Sequence, residues 1–391
     1  MKDRFRVVVA DDSPSVCRLL RTYLQAEPDM EVVATALNGR RAVDHVVKRR
    51  PDVVTLDLEM PRADGLEALR HIMRDCPTPV VVISGVSGAA ANLTMEALDA
   101  GAVDFVLKYT PGAATQASSL RRDIVSKVRA AARVRVIRSL QRRSGAGLAQ
   151  IRKMHPGPRV VSAPPPAPTP DKVHHAPGHG VIVIGASTGG PLALRDLLSA
   201  LPPTFPIPIV VVQHMPPNFT GVLAAQLARH VSFPVLEAQQ GQALAAGNVY
   251  IAPGGRHLLF GSRGEVVLRE GPDIAEHQPS VDVAMQSAAQ IYGARAHGVI
   301  LTGMGADGAL GMVAIYGRNG RTYAQDAASC VVNGMPQRAI DQGVVGRVGP
   351  PGQLGEWLAA AYSDPAPGAS VNRQVEPPKA VGRLLLSETC P

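Results

Sequence analysis

Residues 181–191 read VIVIGASTGGP, an apolar run that ends in a glycine-rich turn around Ser187. Four consecutive β-branched residues, Val181–Ile184, predict a buried strand, and Pro191 is tolerated in the first turn of a helix that follows it. The segment Gly185–Gly189 fits the pattern G-x-S-x-G, in which a strand–turn–helix arrangement presents a serine hydroxyl. A turn of this kind can equally cradle a phosphate. The stretch therefore predicts an α/β unit and leaves both uses of the turn open.

The chain that follows this turn continues the alternation of apolar strands and helical stretches. Such alternation indicates a mostly parallel sheet covered by helices. The further strands predicted here are Ile207–Val212, Val249–Ile251, a hairpin around Leu258–Leu268, Val299–Leu301 and Arg321–Ala324.

The chain that precedes the turn shows the same alternation five times. Its first helical pattern begins after Ser13, a plausible cap, with Pro14 in a first-turn position. The predicted strands are Arg6–Ala10, Val32–Ala36, Val53–Asp57, Val80–Ser84 and Asp104–Lys108. The fold class is therefore α/β, with two doubly wound, mostly parallel α/β domains joined by a Pro-rich linker.

The two α/β segments are separated by SAPPPAPTP at residues 162–170, a composition typical of an extended spacer. We predict a first domain at residues 1–130 and a basic, Pro-rich linker at 131–178. A second domain is predicted at 179–362. The polar tail at 363–391 is predicted to be disordered.

Charge is unevenly distributed in this chain of 391 residues with a formal net charge of +8. The stretch Arg121–Val160 holds many Arg and Lys but a single acid, Asp123. A solvated helix face and linker is the favoured interpretation, and contact with an acidic partner is the alternative. Nucleic-acid binding is disfavoured because no recognisable nucleic-acid fold accompanies the charge.

The sequence favours a cytoplasmic protein. Its N-terminal apolar run is short and ends in two acids, unlike a signal peptide. No window reaches the roughly 18 apolar residues of a membrane span, so no direct membrane insertion is expected. The four cysteines are scattered, which indicates free thiols rather than a metal site.

Five polar residues of the first domain fall at or near the carboxyl ends of its predicted strands: Asp11, Asp12, Asp57, Ser84 and Lys108. Ligands of parallel sheets bind beyond those ends. Three clustered carboxylates with open water positions suit Mg²⁺, and the amine and hydroxyl could bind an added anion.

Residues 5–130 also resemble a receiver domain of the two-component response regulators, through the motifs VVVADDS, LDLEMPRADG, VVISG and GAVDFVLK. The resemblance implies that Asp57 accepts a phosphoryl group from a histidine kinase. It also implies that Asp12, Asp57 and the Glu59 carbonyl hold Mg²⁺, with Asp11 in support. Ser84 and Lys108 would contact the phosphate, and Phe105 would be the aromatic switch residue. Tyr109 stands where the family usually has proline.

Two further polar residues accompany Ser187 in the second domain. His214 closes the next strand, and Asp307 is expected just after a later one. A serine hydroxyl needs a base to take its proton, and that base needs an orienting anion. The chain order Ser, His, Asp differs from the Ser, Asp, His order of α/β-hydrolases and disfavours that fold.

The motifs GASTGG, QHMPPNFT, IAPGGRH, HQPSVDV and LTGMGADG resemble the catalytic domain of chemotaxis protein-glutamate methylesterases over residues 180–347. The resemblance implies that Ser187 is the nucleophile, His214 the general base and Asp307 its orienting partner. The backbone amides of Thr188 and Met304 become oxyanion donors. It implies hydrolysis of glutamate methyl esters on chemoreceptors, deamidation of receptor glutamines through the same acyl-enzyme, and no cofactor for ester hydrolysis.

Two other functions agree less well with the sequence. A receiver joined to a DNA-binding output requires a helix-turn-helix, whereas the second domain is strand-rich. A catalytically silent scaffold is disfavoured by the presence of Ser187, His214 and Asp307 together. Because a Pro-rich spacer transmits little by itself, we expect the receiver to cover the Ser187 rim at rest and to release it on phosphorylation.

Overall fold

The computed structural model describes residues 4–60, 65–108, 114–134, 180–271 and 277–362. Tyr109, the Pro-rich segment at 162–170 and the tail at 363–391 lie outside these ranges. The described residues form two α/β units, and no helix among them is long and apolar enough to span a membrane.

The first unit is a five-stranded parallel sheet with the strand order β2-β1-β3-β4-β5. Helices α1 and α5 cover one face, where Leu24 and Ile124 are fully buried, and α2, α3 and α4 cover the other. The elements are β1 (Phe5–Ala10), α1 (Pro14–Gln25), β2 (Met30–Ala36), α2 (Gly39–Arg49), β3 (Val53–Asp57), α3 (Gly65–Asp75), β4 (Val80–Ser84), α4 (Gly88–Asp99), β5 (Asp104–Leu107) and α5 (Ala114–Ala131).

The second unit is a seven-stranded parallel sheet with the order β14-β13-β12-β6-β7-β9-β8, and β10 and β11 form a separate hairpin. Its strands are β6 (Val181–Ala186), β7 (Ile209–Gln213), β8 (Val235–Glu237), β9 (Val249–Ile251), β10 (His257–Phe260), β11 (Val266–Arg269), β12 (Ala296–Ile300), β13 (Thr322–Gln325) and β14 (Arg347–Gly349). Its helices are α6 (Gly190–Leu198), α7 (Thr220–Leu227), α8 (Val281–Tyr292), α9 (Ala309–Gly317), α10 (Gly334–Asp341) and α11 (Pro351–Tyr362).

The strands β6 and β12 are parallel neighbours, and successive strands are added to the sheet in opposite directions from them. From β6 the chain proceeds to β7 on one side, and from β12 to β13 on the other. Crevices at such a switch point, beyond the carboxyl ends of the strands, are where open α/β sheets bind ligands. Ser187 directly follows β6 and therefore lies at this crevice.

The two units pack against each other through one continuous apolar cluster. Phe105 of β5 stacks on Phe219 of the second unit, with ring centroids 5.0 Å apart and planes inclined by 8°. Gln226 of α7 donates a hydrogen bond of 2.9 Å to the Met95 carbonyl in α4. The carboxyl-terminal rim of the second sheet thus faces β5 and α4 of the first unit.

The predicted α/β class is confirmed, with small differences at the ends of elements. Ser13 accepts a hydrogen bond from Val16 N and caps α1, as predicted. Lys108 lies directly after β5 instead of closing it. Strands β8 and β14 were missed, because both are three-residue edge strands with mostly exposed side chains that lack a clear period.

Helix α5 passes the predicted boundary at residue 130 by one residue and ends at Ala131. Its basic face is partly neutralised within the first unit, since Arg129 pairs with Glu27 and Asp29 at 2.9 and 2.6 Å. Arg121 also pairs with Glu27, at 3.0 Å. Lys127 pairs with Asp123 at 3.3 Å, and the part of the basic stretch beyond residue 134 lies outside the described residues.

Candidate active site and candidate phosphorylation site

The turn that carries Ser187 is held by hydrogen bonds on both sides. Ser187 N donates to Thr302 O at 3.0 Å, and Ser187 O accepts from Gly190 N at 2.8 Å and from Gln213 Nε2 at 2.9 Å. A Cβ at position 190 would lie 1.9 Å from Gln213 Oε1, so a larger residue there would displace the Gln213 side chain that holds the turn. Gly189 takes a φ of +77°, a conformation that costs glycine little. The sequence thus fixes a sharp turn from β6 into α6.

His214 and Asp307 meet beside this turn. His214 directly follows β7, and its Nε2 lies 2.7 Å from Asp307 Oδ2. Ser187 and His214 line the same cavity, and among the hydrogen bonds of the described residues none joins Ser187 Oγ to the His214 ring. Because Nε2 is taken by Asp307, Nδ1 is the nitrogen available to a serine hydroxyl. Catalytic hydrogen bonds of this kind commonly tighten only when substrate binds.

The Asp307 carboxylate is bound by hydrogen-bond donors at the N-terminus of α8. It accepts hydrogen bonds from Ser280 Oγ, Val281 N and Asp282 N at 2.9, 2.7 and 2.9 Å. Burial alone would raise its pKa, but the hydrogen bond from His214 and the α8 amides outweigh burial and lower the pKa to about 2. The residue is therefore an anion at neutral pH, as the orienting partner of a histidine should be.

The position of Asp307 corrects the expectation that it comes just after a strand. Strand β12 ends at Ile300, and Asp307 lies in the loop that leads to α9. Gly305 and Gly308 adopt φ values of +89° and +96° in that loop, which turns the carboxylate back towards α8. The cluster of glycines in LTGMGADG was the signal for such a loop.

The two proposed oxyanion donors border the Ser187 turn. Thr188 is buried, and its carbonyl accepts a hydrogen bond from Thr302 Oγ1 at 3.0 Å. The loop before Met304 is fixed by hydrogen bonds between Gly303 and the chain around Val332 and Gly334. Among the described residues, neither the Thr188 nor the Met304 amide donates to a backbone acceptor. Both amides are therefore compatible with binding a developing oxyanion.

Sequence reasoning passed over two neighbours of the proposed base. Gln213 supports the Ser187 turn through its side chain, and its position directly before His214 was the only hint. His277 stacks on His214 with ring centroids 4.3 Å apart. The sequence alone gave it no distinction from other histidines such as His257 and His297, which are buried in strands away from the site.

The acidic cluster of the first unit forms as predicted at the carboxyl ends of β1 and β3. Oxygen atoms of Asp11, Asp12 and Asp57 lie within 4.8 Å of one another. Asp11 and Asp57 are buried and Asp12 is exposed. Lys108 Nζ pairs closely with Asp57 Oδ2 and lies 3.1 Å from Asp11 Oδ2.

The charges of this cluster favour a cation. Burial raises the pKa of Asp11 in spite of the Ser13 amide and Lys108. Burial lowers the pKa of Lys108, but its contacts with Asp57 and Asp11 outweigh burial and leave the pKa raised. Asp11 Oδ2 is buried and faces the Lys108 ammonium at 3.1 Å. A set of close carboxylate oxygens, each with more than one lone pair, fits Mg²⁺ by its chemistry.

Ser84, Glu59 and Phe105 each have partners within the chain. The Ser84 hydroxyl accepts a hydrogen bond from Thr94 Oγ1 at 2.5 Å and lies near carbonyls of its own loop. Glu59 N donates to Asp57 Oδ1 at 3.1 Å. Phe105 is buried against Phe219 of the second unit.

A cavity of about 350 Å³ lies between the two units. Its walls combine Ser187, Thr188, Gln213 and His214 with Phe105, Lys108, Asp104, Asp123 and Lys127. The first unit therefore lies over the Ser187 rim in this arrangement, which agrees with the expectation that the receiver covers that rim at rest. Phe105 and Lys108 of the first unit consequently lie beside the candidate active site.

Two family models match the chain. Residues 7–117 match the response regulator receiver domain, and residues 182–358 match the CheB methylesterase. A protein-glutamate methylesterase/protein-glutamine glutaminase of Anaeromyxobacter dehalogenans is 44% identical over 352 residues, which cover 88% of this chain and 91% of that protein. A relative of the same name from Bradyrhizobium diazoefficiens is 40% identical, over 92% of this chain and 98% of that protein. The crystal structure of the Thermotoga maritima CheB methylesterase catalytic domain is similar at 40% identity and a TM-score of 0.46, over 47% of this chain and 99% of that chain.

Proposed function

The chain belongs to the family of protein-glutamate methylesterases/protein-glutamine glutaminases, and on that premise we propose that it hydrolyses glutamate methyl esters of chemoreceptors under the control of its own receiver domain. The enzyme is a serine hydrolase, and the domains are a receiver at 1–130, a linker at 131–178 and a catalytic domain at 179–362. The observation that carries the proposal is the His214–Asp307 hydrogen bond of 2.7 Å beside the Ser187 turn.

The reaction follows from the roles that these side chains can take. His214 accepts the hydroxyl proton of Ser187 as Oγ attacks the ester carbonyl, and Asp307 stabilises the resulting imidazolium. The amides of Thr188 and Met304 donate to the oxyanion of the tetrahedral intermediate. The intermediate collapses with loss of methanol, which takes the proton from His214, and a glutamyl ester remains on Ser187 Oγ.

Hydrolysis of that acyl-enzyme repeats the sequence with water. His214 removes a proton from the water as it attacks the acyl carbon, and the proton returns to Ser187 Oγ when the glutamate carboxyl group leaves. A receptor glutamine enters through the same intermediate with ammonia as the leaving group. All the groups needed for ester hydrolysis are supplied by the chain, so the reaction requires no cofactor.

Control comes from the first domain. Asp57 is the proposed acceptor of a phosphoryl group donated by a histidine kinase, and Asp11, Asp12, Asp57 and the Glu59 carbonyl would hold Mg²⁺. The ion would neutralise the crowded carboxylates and the incoming phosphoryl oxygens. Ser84 and Lys108 would then contact the phosphate, and Phe105 would leave its place on Phe219. Loss of that contact favours an open form in which the Ser187 rim is accessible.

The test is methanol release from a methylated chemoreceptor, measured with Ser187→Ala and with Ser232→Ala, an exposed serine of the same domain, as the matched control. We expect Ser187→Ala to lower kcat by at least about 10⁴-fold, because triad members act as a unit. Ser232→Ala should retain wild-type turnover. Substantial methanol release by folded Ser187→Ala would rule out the acyl-enzyme route.

A further inference from the structure

His277 lies on the outer side of the proposed general base. Its side chain is exposed, and its ring stacks on that of His214 with centroids 4.3 Å apart and an interplanar angle of 29°. The His214 side chain beneath it is only 11% exposed. One face of the His214 ring is therefore covered by a second imidazole.

This contact supplies a constraint that Asp307 does not supply. The hydrogen bond from Nε2 to Asp307 fixes one point of the His214 ring, but the ring can still tilt about that point because the χ2 torsion of histidine is broad. A ring stacked on one face opposes the tilt. Stacking is a favoured arrangement of aromatic side chains.

His277 and the support of Asp307 come from one short stretch of chain. Ser280, Val281 and Asp282 bind the Asp307 carboxylate, and His277 lies three residues before Ser280, the N-cap of α8. The same segment thus holds the carboxylate that orients His214 and the ring that covers it. A displacement of this segment would disturb both.

We propose that His277 is a positioning residue for the general base, which holds the His214 ring by stacking in an orientation that leaves Nδ1 able to accept the Ser187 proton. This inference rests on the proposed function of Ser187 and His214. In this role His277 neither contacts the substrate nor transfers a proton.

Three substitutions of His277 separate the effect of a planar ring from the effect of a hydrogen-bonding side chain. His277→Phe keeps a flat ring, whereas His277→Gln keeps polar atoms without the ring and His277→Ala removes both. The measurement is the second-order rate at which a fluorophosphonate labels Ser187 in the full chain, after treatment with a small phosphodonor and Mg²⁺. This rate reports the activation of the serine and does not depend on receptor binding.

We expect His277→Phe to label within about threefold of the wild-type rate, and His277→Gln and His277→Ala to label at least tenfold more slowly. Melting temperatures close to that of the wild type would exclude unfolding as the cause. Equal rates for wild type, Phe, Gln and Ala would overturn the proposal, and so would rescue by Gln but not by Phe. If wild type itself is not labelled at Ser187, the proposed function fails, which is a separate outcome.

Discussion

Asp307 is the residue whose role depends most on its surroundings. It is placed by two amides of the α8 N-terminus and by Ser280, and it has His214 as its partner. A carboxylate at a helix N-terminus is stabilised by the amides and by the helix dipole. The same contacts that order the active site therefore contribute to the stability of the domain.

We predict that Asp307→Asn lowers kcat for methyl-ester hydrolysis by on the order of 10⁴-fold, the loss seen when an aspartate of such a triad becomes an amide. The amide neither stabilises an imidazolium nor selects the tautomer that accepts a proton from Ser187. Methanol release from a methylated receptor checks this result. Asp341→Asn, at an exposed site on α10, is the matched control and should leave kcat unchanged.

The same substitution should make stability depend differently on pH. The pKa of Asp307 lies at about 2 in the folded protein, below its ordinary value of 3.8. Its charge therefore stabilises the fold above about pH 4, by roughly 2 kcal/mol, and the contribution is lost as pH falls towards 2. Denaturant unfolding should thus separate wild type from Asp307→Asn at pH 7 and bring them together near pH 2. A constant difference across that range would contradict the assignment.

At the scale of elements, α4 and α6 are joined across the domains by charged side chains. Arg195 of α6 lies 3.1 Å from Asp99 Oδ1 at the end of α4, and His230 Nε2 lies 3.6 Å from Asp99 Oδ2. The Arg195 side chain is only 14% exposed, so this pair is better shielded than a surface pair. It stabilises only the arrangement in which the receiver covers the rim.

We predict that Arg195→Gln raises the turnover of the unphosphorylated enzyme about two- to fivefold, the effect of losing an ion pair worth up to about 1 kcal/mol on the open population. Turnover after full phosphorylation should not change, because the pair is already broken in the open form. Arg229→Gln, an exposed arginine just after α7, is the matched control. Equal basal turnover in Arg195→Gln and wild type would show that α4 and α6 do not hold the closed form.

At the scale of the whole molecule, activity is governed by the surface that the receiver shares with the catalytic domain. The apolar cluster passes through Phe105 and Phe219, and the cavity with Ser187 lies next to it. A second cluster, which contains Val183, Tyr250 and Met285, is built from the catalytic domain alone. We therefore expect the catalytic domain to fold without the receiver.

We predict that residues 175–391 turn over a methylated receptor about tenfold faster than the unphosphorylated full chain, which corresponds to about 1.4 kcal/mol of closure. The comparison uses methanol release at equal concentrations, with circular dichroism as the check on folding. Treatment with a phosphodonor should raise the turnover of the full chain towards that of the fragment. It should leave Asp57→Asn at its basal rate, while the control Asp44→Asn, on the exposed side of α2, should respond normally. A folded fragment no faster than the full chain would mean that activation recruits or reshapes the catalytic domain instead.

Local patterns in the sequence were sufficient for much of this protein. The apolar run Val181–Ile184 and the glycines after it predicted both the strand and the Ser187 turn, because these features depend on neighbours a few residues away. The clustering of Asp11, Asp12 and Asp57 at one rim was also accessible, since parallel strands bring their carboxyl ends together. The nucleophile, the base and the acceptor aspartate could therefore be proposed from sequence.

Other features depended on the tertiary structure. The α8 amides that receive Asp307, the His277 ring on His214 and the contact between Phe105 and Phe219 join residues far apart in the chain. The edge strands β8 and β14 form because a neighbouring strand offers hydrogen-bonding groups, and their own side chains carry little pattern. Periodicity and spacing report which face of an element is apolar. Which surfaces then meet depends on how the elements pack, and that is decided by the folded chain as a whole.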